Sequence, residues 1–220
     1  ATGGNFVLGA DVAIPETLTV PAGTDISIDM AGYDFTADGV DNALVVRGNA
    51  TLINSSSESS SIIVNSAPAA PGSSSDTVQG IEVKSTGTLT IADGNIDVKG
   101  DGLGIGVLNY GTLNMNDGTI TVEGDGWNMY GIFNFGGVVN MNGGEIVVNA
   151  NNAGTFGILC YDACTVNLNA GKIVVKKDAN YAIGVLYGTA TVTEGTEFAY
   201  DIQLGAKYYV DPVADLIVNG

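Results

Sequence analysis

The 220-residue sequence has no histidine, one arginine (Arg47), two cysteines (Cys160 and Cys164), five prolines and one tryptophan. Lack of histidine removes the commonest general base and metal ligand, and rules out a Ser–His or Cys–His relay. Only seven basic residues stand against 24 acidic ones, a formal net charge of −17. That balance argues against nucleic acid as a partner, because phosphate binding needs clustered Lys and Arg. It also disfavours anionic membrane surfaces. No apolar run approaches the roughly 18 residues of a membrane-spanning helix, so membrane insertion is not expected. No signal peptide is visible at Ala1, which predicts a chain that is processed, trimmed or short of its initiator Met.

Glycine is abundant instead, with 32 residues, and 45% of the chain is hydrophobic while only 14% is charged. A core is therefore expected beneath a surface built largely of Asn, Thr, Ser and Gly. Glycine follows no three-residue period, which excludes collagen. The dominant feature is a repeat. The phrase from Gly87 to Val98, GTLTIADGNIDV, returns as GTLNMNDGTITV from Gly111 to Val122. Further copies run from Gly137 to Val148 and from Cys164 to Val175, with a degraded one from Gly188 to Phe198. A glycine followed by Ile or Val precedes each phrase, at Gly80, Gly106, Gly131, Gly157 and Gly184.

Each repeat contains three short segments of alternating, β-branched character, separated by Gly, Asn and Asp turns. Three strands in about 25 residues make one coil of a β-solenoid, whose coils pair about 4.8 Å apart and stack like residues into columns. The expected fold is all-β, a single parallel β-helix domain over 1–220. It divides into a cap and first coils at 1–54, a Ser/Pro/Gly-rich surface loop with one short strand at 55–79, and regular coils at 80–199. The stretch 200–220 is a cap or leads into a further domain.

The segment from Leu18 to Phe35, followed by coils of the pattern G-T-L-x-I-x-D-G-x-I-x-V, resembles pectate-lyase-like right-handed parallel β-helices. It is most similar to the non-enzymatic type found in bacterial surface proteins and phage spikes or fibres. The resemblance covers roughly positions 5 to 198. It implies a right-handed coil and a structural or adhesive role on a virion or bacterial surface, with a homo-oligomer, a trimer first, as its assembly.

The columns carry the site expectations. Leu89, Leu113, Val139, Val166 and Ala190 read as core, as do Ile91, Met115, Met141, Leu168 and Val192. Their outward neighbours include Asn114, Asn116, Asn140, Asn142, Asn167 and Asn169. This polar face reads either as a solvated wall whose amides bond between coils, or as a surface for ice or polysaccharide. On the glycine-marked strand, strict alternation puts Ile105 and Val107 inward. It puts Gly106, Gly131, Gly157 and Gly184 outward, beside Leu108, Phe133, Leu159 and Leu186. Such an apolar outer wall calls for a cover: an assembly interface, the chain's own loop, or its C-terminal segment. Asn109 and Asn134, with Cys160 replacing them in the next coil, read as buried groups satisfying turn backbone. Tyr110, Phe135 and Tyr161 form an aromatic stack, as turn packing or a sugar platform.

Cys160 and Cys164 share one turn, as a disulfide in an oxidising setting or as a reduced pair. Asp101 and Asp125, one coil apart, with Asp178 further on, are weak calcium candidates; no other cofactor or metal is expected. The lyases and hydrolases of this fold use clustered carboxylates, with a basic residue in the lyases. No such constellation is legible around Arg47, and the Asp-Gly pairs read as turn formers, so no catalytic residue is assigned. The expected function is a non-enzymatic structural or adhesive solenoid outside the cell. The alternatives are a carbohydrate-active enzyme or binding module, and an ice-binding solenoid.

Overall fold

The computed structural model describes residues 3–65, 77–126, 128–150, 154–176, 181–186, 188–193, 197–200, 206–210 and 215–219, the last strands by backbone alone. It is an all-β solenoid. The chain visits three parallel sheets in strict rotation, and these contain nine, eight and eight strands. In the coil around residue 110, sheet I holds Thr112–Met115, sheet II holds Thr119–Gly124, and sheet III holds Leu103–Asn109. Among the described residues every strand pairs in parallel with the strand one coil away, as the repeat predicts.

Register places like on like. Leu89 pairs with Leu113, Leu113 with Val139, Val139 with Val166, and Val166 with Ala190, steps of 24, 26, 27 and 24 residues. Ile96, Ile120, Ile146 and Ile173 stack in sheet II, with Val98, Val122, Val148 and Val175 beside them. All eight are buried in one continuous core. Each contributes about 1.5–3 kcal/mol by leaving water.

The N-terminal third obeys the same rotation. Ile62 to Val64 lie in Ser61–Asn65, which is a full rung of sheet II between Phe35–Asp38 and Asn95–Lys99, not a strand within a surface loop. Thr77 to Gln79 already belong to sheet III. Residues 66–76 of the Ser/Pro/Gly-rich segment lie outside the described residues. At the other end the coils continue past Phe198. Ala206–Val210 pairs with Tyr181–Val185, and Asp215–Asn219 with Gly188–Thr193. At the N-terminal end the core opens into an apolar cavity of about 300 Å³ lined by Phe6, Leu8, Leu18, Val20, Ile26 and Phe35.

One expectation is corrected. Gly106, Gly131 and Gly157 do not face outward. A Cβ on Gly131 would lie 2.3 Å from Ile146 Cγ2, and one on Gly106 2.4 Å from Ile120 Cγ2, both core side chains of sheet II. The pairing joins Ile105 to Tyr130 and Val107 to Ile132, stepping over Gly106 and Gly131. The strand bends there, so alternation restarts and the preceding residue turns out. Ile105 and Tyr130 consequently belong to a second cluster, separate from the main core. Gly184 is out of line with the other glycines. It pairs with Leu159, whereas Ala182 occupies the inward small-residue position.

Gly131→Val should therefore unfold at a much lower urea concentration, losing about 3 kcal/mol or more from overpacking against backbone and core. Gly9→Ala, with no atom within 4 Å of the added carbon, should keep the parental midpoint. Equal midpoints for the two variants would refute the inward placement.

Candidate functional site

Three surfaces merit comparison. The first is the outer wall of sheet III. Restarted alternation there produces three outward columns. One runs through Ile105, Tyr130, Phe156 and Tyr181, and a second through Leu108, Phe133, Leu159 and Gly184. The third holds Tyr110, Phe135, Tyr161 and Leu186. Seven of the chain's sixteen aromatic residues thus stand on one wall. Ile105 and Leu159 are only 2% and 4% exposed, whereas Tyr161 is 36% exposed. The centre of the wall is closed and its turn-side rim is open.

The rings pack mainly on each other. Phe156 stacks on Tyr130 at 6.1 Å and 26°, and on Tyr181 at 5.3 Å and 21°. Phe135 stacks on Tyr161 at 5.2 Å and 26°. The Lys84 ammonium, paired with Glu82, sits 5.8 Å from the Tyr110 ring centroid. A sugar platform offers a free ring face, and these faces are largely taken. The wall instead presents ring edges and methyl groups. Burial pushes the Tyr130 hydroxyl above its ordinary pKa. The Asn42 and Gln79 side-chain oxygens, paired in register ahead of Ile105, are shielded from solvent with no hydrogen-bond donor among the described residues.

The second surface is the outer face of sheet I. Asn114, Asn140 and Asn167 form one amide ladder, with each Nδ2 donating to the previous Oδ1 at 2.9 Å. Asn116, Asn142 and Asn169 form another at 3.0 and 2.8 Å. The amides bond between coils, as the solvated-wall reading expects. Each still has one N–H to offer outward. Further along this face the Ser55 N–H and hydroxyl, with the Ala31 N–H, hold the Asp29 carboxyl below its usual pKa. Its stabilising effect is complete above the ordinary carboxylate pKa and fades as pH falls through the lowered one. Asp29→Asn should flatten the acid limb of a melting-temperature profile.

The third surface is internal. Asn109 and Asn134 are fully buried where sheet III turns into sheet I. Asn109 Nδ2 donates to Asn134 Oδ1 at 2.8 Å and to the Val138 carbonyl at 3.0 Å. Asn134 Nδ2 donates to the Gly137 and Thr165 carbonyls. In the next coil Cys160 pairs with Asn134 and forms a disulfide with Cys164, across a Cα separation of 5.8 Å. Between them Asp162 and Ala163 adopt left-handed φ values of 66° and 51°, a cost of about 1–2 kcal/mol each.

No group of three or more metal-ligating side chains is present among the described residues. Asp101 and Asp125 stand on stacked turns, and Asp178 lies outside the described residues. Lys99 and Glu123 approach to 3.9 Å with both side chains well exposed, a pair of little energetic weight. Sequence reasoning missed the outward column of Ile105, Tyr130, Phe156 and Tyr181. Its signal was the large residue preceding each marker glycine or Ala182. No family model, curated protein or solved structure matches the chain.

Asn134→Ala should cost about 2 kcal/mol, because it removes a buried amide that accepts from Asn109 and donates to the Gly137 and Thr165 carbonyls. Replacing both cysteines by Ala should cost about 2 kcal/mol, the loop-closure value for so short a ring. Denaturant titration measures both, and thiol titration of freshly isolated protein should find no free sulfhydryl.

Proposed function

We propose that this chain is a non-enzymatic structural and adhesive solenoid, displayed outside the cell on a virion or bacterial surface, that works by contact along the wall of sheet III. The observation that carries this reading is the wall itself. On a surface dressed elsewhere mainly in Asn, Thr, Ser and acidic residues, with exposed Phe6, Val7, Leu18 and Tyr33 confined to the first coils, aromatic and aliphatic side chains are gathered into columns parallel to the solenoid axis. Such columns suit a second copy of the chain, since packing with parallel axes brings the same residues from each copy together. A homotrimer is the expected assembly, and virion or cell-surface proteins are the other partners.

Two further observations support the reading. A buried disulfide that closes an exposed turn suits an oxidising compartment. Several acidic side chains that could serve chemistry are engaged as turn formers. Asp29 accepts from Ala31 and Ser55, Asp34 from Ser61, Asp93 from Gly94, and Asp117 from Gly118.

The test uses the open rim, because Leu159 is buried within one chain and would report folding instead. Light scattering should give the parent an oligomeric mass, and Phe135→Ser/Tyr161→Ser should yield folded monomers with little change in melting temperature. A parent that stays monomeric at high micromolar concentration overturns self-assembly through this wall.

A further inference from the structure

We propose that a hollow at the N-terminal end of sheet I binds one residue of a neutral, hydroxyl-rich glycan, whose chain continues along the amide ladders. This names a partner class for the adhesive reading above and rests on it.

The hollow has a volume of about 160 Å³, room for a single sugar ring, and is lined by Asn5, Asp25, Ile26, Ser27, Asn49 and Thr51. Its construction follows from register. Asp25 pairs with Asn49, forming one outward column. Asn5, Ser27 and Thr51 pair in succession, forming the next. Ile26, whose side chain packs against the core, separates the columns and lies at the floor. Both walls are therefore polar, and short Ser and Thr side chains keep the recess open.

The lining matches hydroxyl chemistry. Asn5 and Asn49 carry amides that donate and accept, Ser27 and Thr51 carry hydroxyls that do the same, and Asp25 accepts only. Asn49 Nδ2 donates to Asp25 Oδ1, which fixes the carboxylate and leaves its other oxygen for a ligand hydroxyl. Vicinal hydroxyls of a pyranose pair naturally with such mixed donors and acceptors. No cationic side chain lines the hollow, and the chain carries a formal charge of −17. An acidic sugar would meet repulsion without a compensating Lys or Arg.

The hollow is continuous with a longer track. Thr51 pairs with Thr90, Thr90 with Asn114, Asn114 with Asn140, and Asn140 with Asn167. The inter-coil amide bonds hold Asn114, Asn140 and Asn167 in one orientation, so little rotamer entropy is lost when a ligand hydroxyl bonds the free N–H. Successive coils lie about 4.8 Å apart, so an extended chain lying along the axis meets the Thr90 hydroxyl and then a fresh amide with each advance of about one sugar. Affinity should accordingly rise with oligomer length.

The probe is a printed array carrying glucose, mannose, galactose and N-acetylglucosamine oligomers of increasing length, beside uronic and sialic acid oligomers. The full chain should be retained by at least one neutral series, more strongly for longer members, and by none of the acidic ones. Asn49→Ala/Thr51→Val should lower binding to that series at least tenfold by titration calorimetry, without changing the melting temperature. Asn140→Ala should weaken long oligomers and spare short ones. Three results overturn the proposal: no neutral oligomer retained, acidic oligomers preferred, or parental affinity in Asn49→Ala/Thr51→Val. Self-association lost in Phe135→Ser/Tyr161→Ser is read on a different wall, so failure of the glycan site leaves the contact reading standing, and failure of self-association leaves the array result intact.

Discussion

Everything in this molecule depends on parallel backbone pairing between successive coils. Each residue sits about 4.8 Å from its counterpart, so a side chain's nearest neighbour on either side is a copy of its own position. A column succeeds only if its residue type tolerates stacking on itself. Branched aliphatics do so inside, where Ile120 lies between Ile96 and Ile146. Asparagine does so outside, because an amide donates with one end and accepts with the other. Aromatic rings do so by overlapping faces. Charges do not, and the charged positions of sheet II alternate in sign where they meet, as in Glu145 with Lys172 at 3.0 Å.

The same rule explains the turn from sheet III into sheet I. The aligned positions Asn109 and Thr112 have two residues between them, Asn134 and Val138 three, and Cys160 and Thr165 four. A lengthening turn loses the tight geometry that a single buried amide can tie to backbone carbonyls. In the shortest turn Asn109 accepts from the Gly111 N–H and donates to the Gly111 carbonyl. In the longest, a covalent bond replaces the amide and holds Asp162 and Ala163 in a conformation that neither favours. The disulfide thus takes the place of the buried amide in the third of these turns, and Val185 follows it in the column.

The solenoid was legible because its evidence is redundant. Five copies of one phrase give strand length, turn position and inward face several times over, and the two amide columns follow directly from Asn114 and Asn116 recurring in each of the next two coils. The bend at Gly106 was not legible, since alternation is counted along an unbroken strand. A glycine reveals its direction only through what a Cβ would strike, here Ile120 across the core. Gly184 misled for a related reason: it repeats the marker in sequence but sits two residues beyond the true counterpart, Ala182. The hollow around Asp25 and Asn49 was invisible as well, because it lies ahead of the regular phrases and joins residues more than forty positions apart.

These placements divide the outer surface by chemistry. On sheet III the ring faces are consumed by one another, which leaves edges and methyl groups suited to dry packing against another apolar surface. On sheet I the amides bond along the axis through one N–H and keep the second pointing away, which suits hydroxyl partners and resists dry burial, since each unpaired N–H would carry a desolvation penalty. The two walls therefore cannot exchange roles. On the proposed reading, a contact that buries protein against protein belongs on sheet III, and a contact that stays wet belongs on sheet I. With sheet II carrying the paired charges, a rod assembled through one wall keeps the other two available to solvent and ligand along their length.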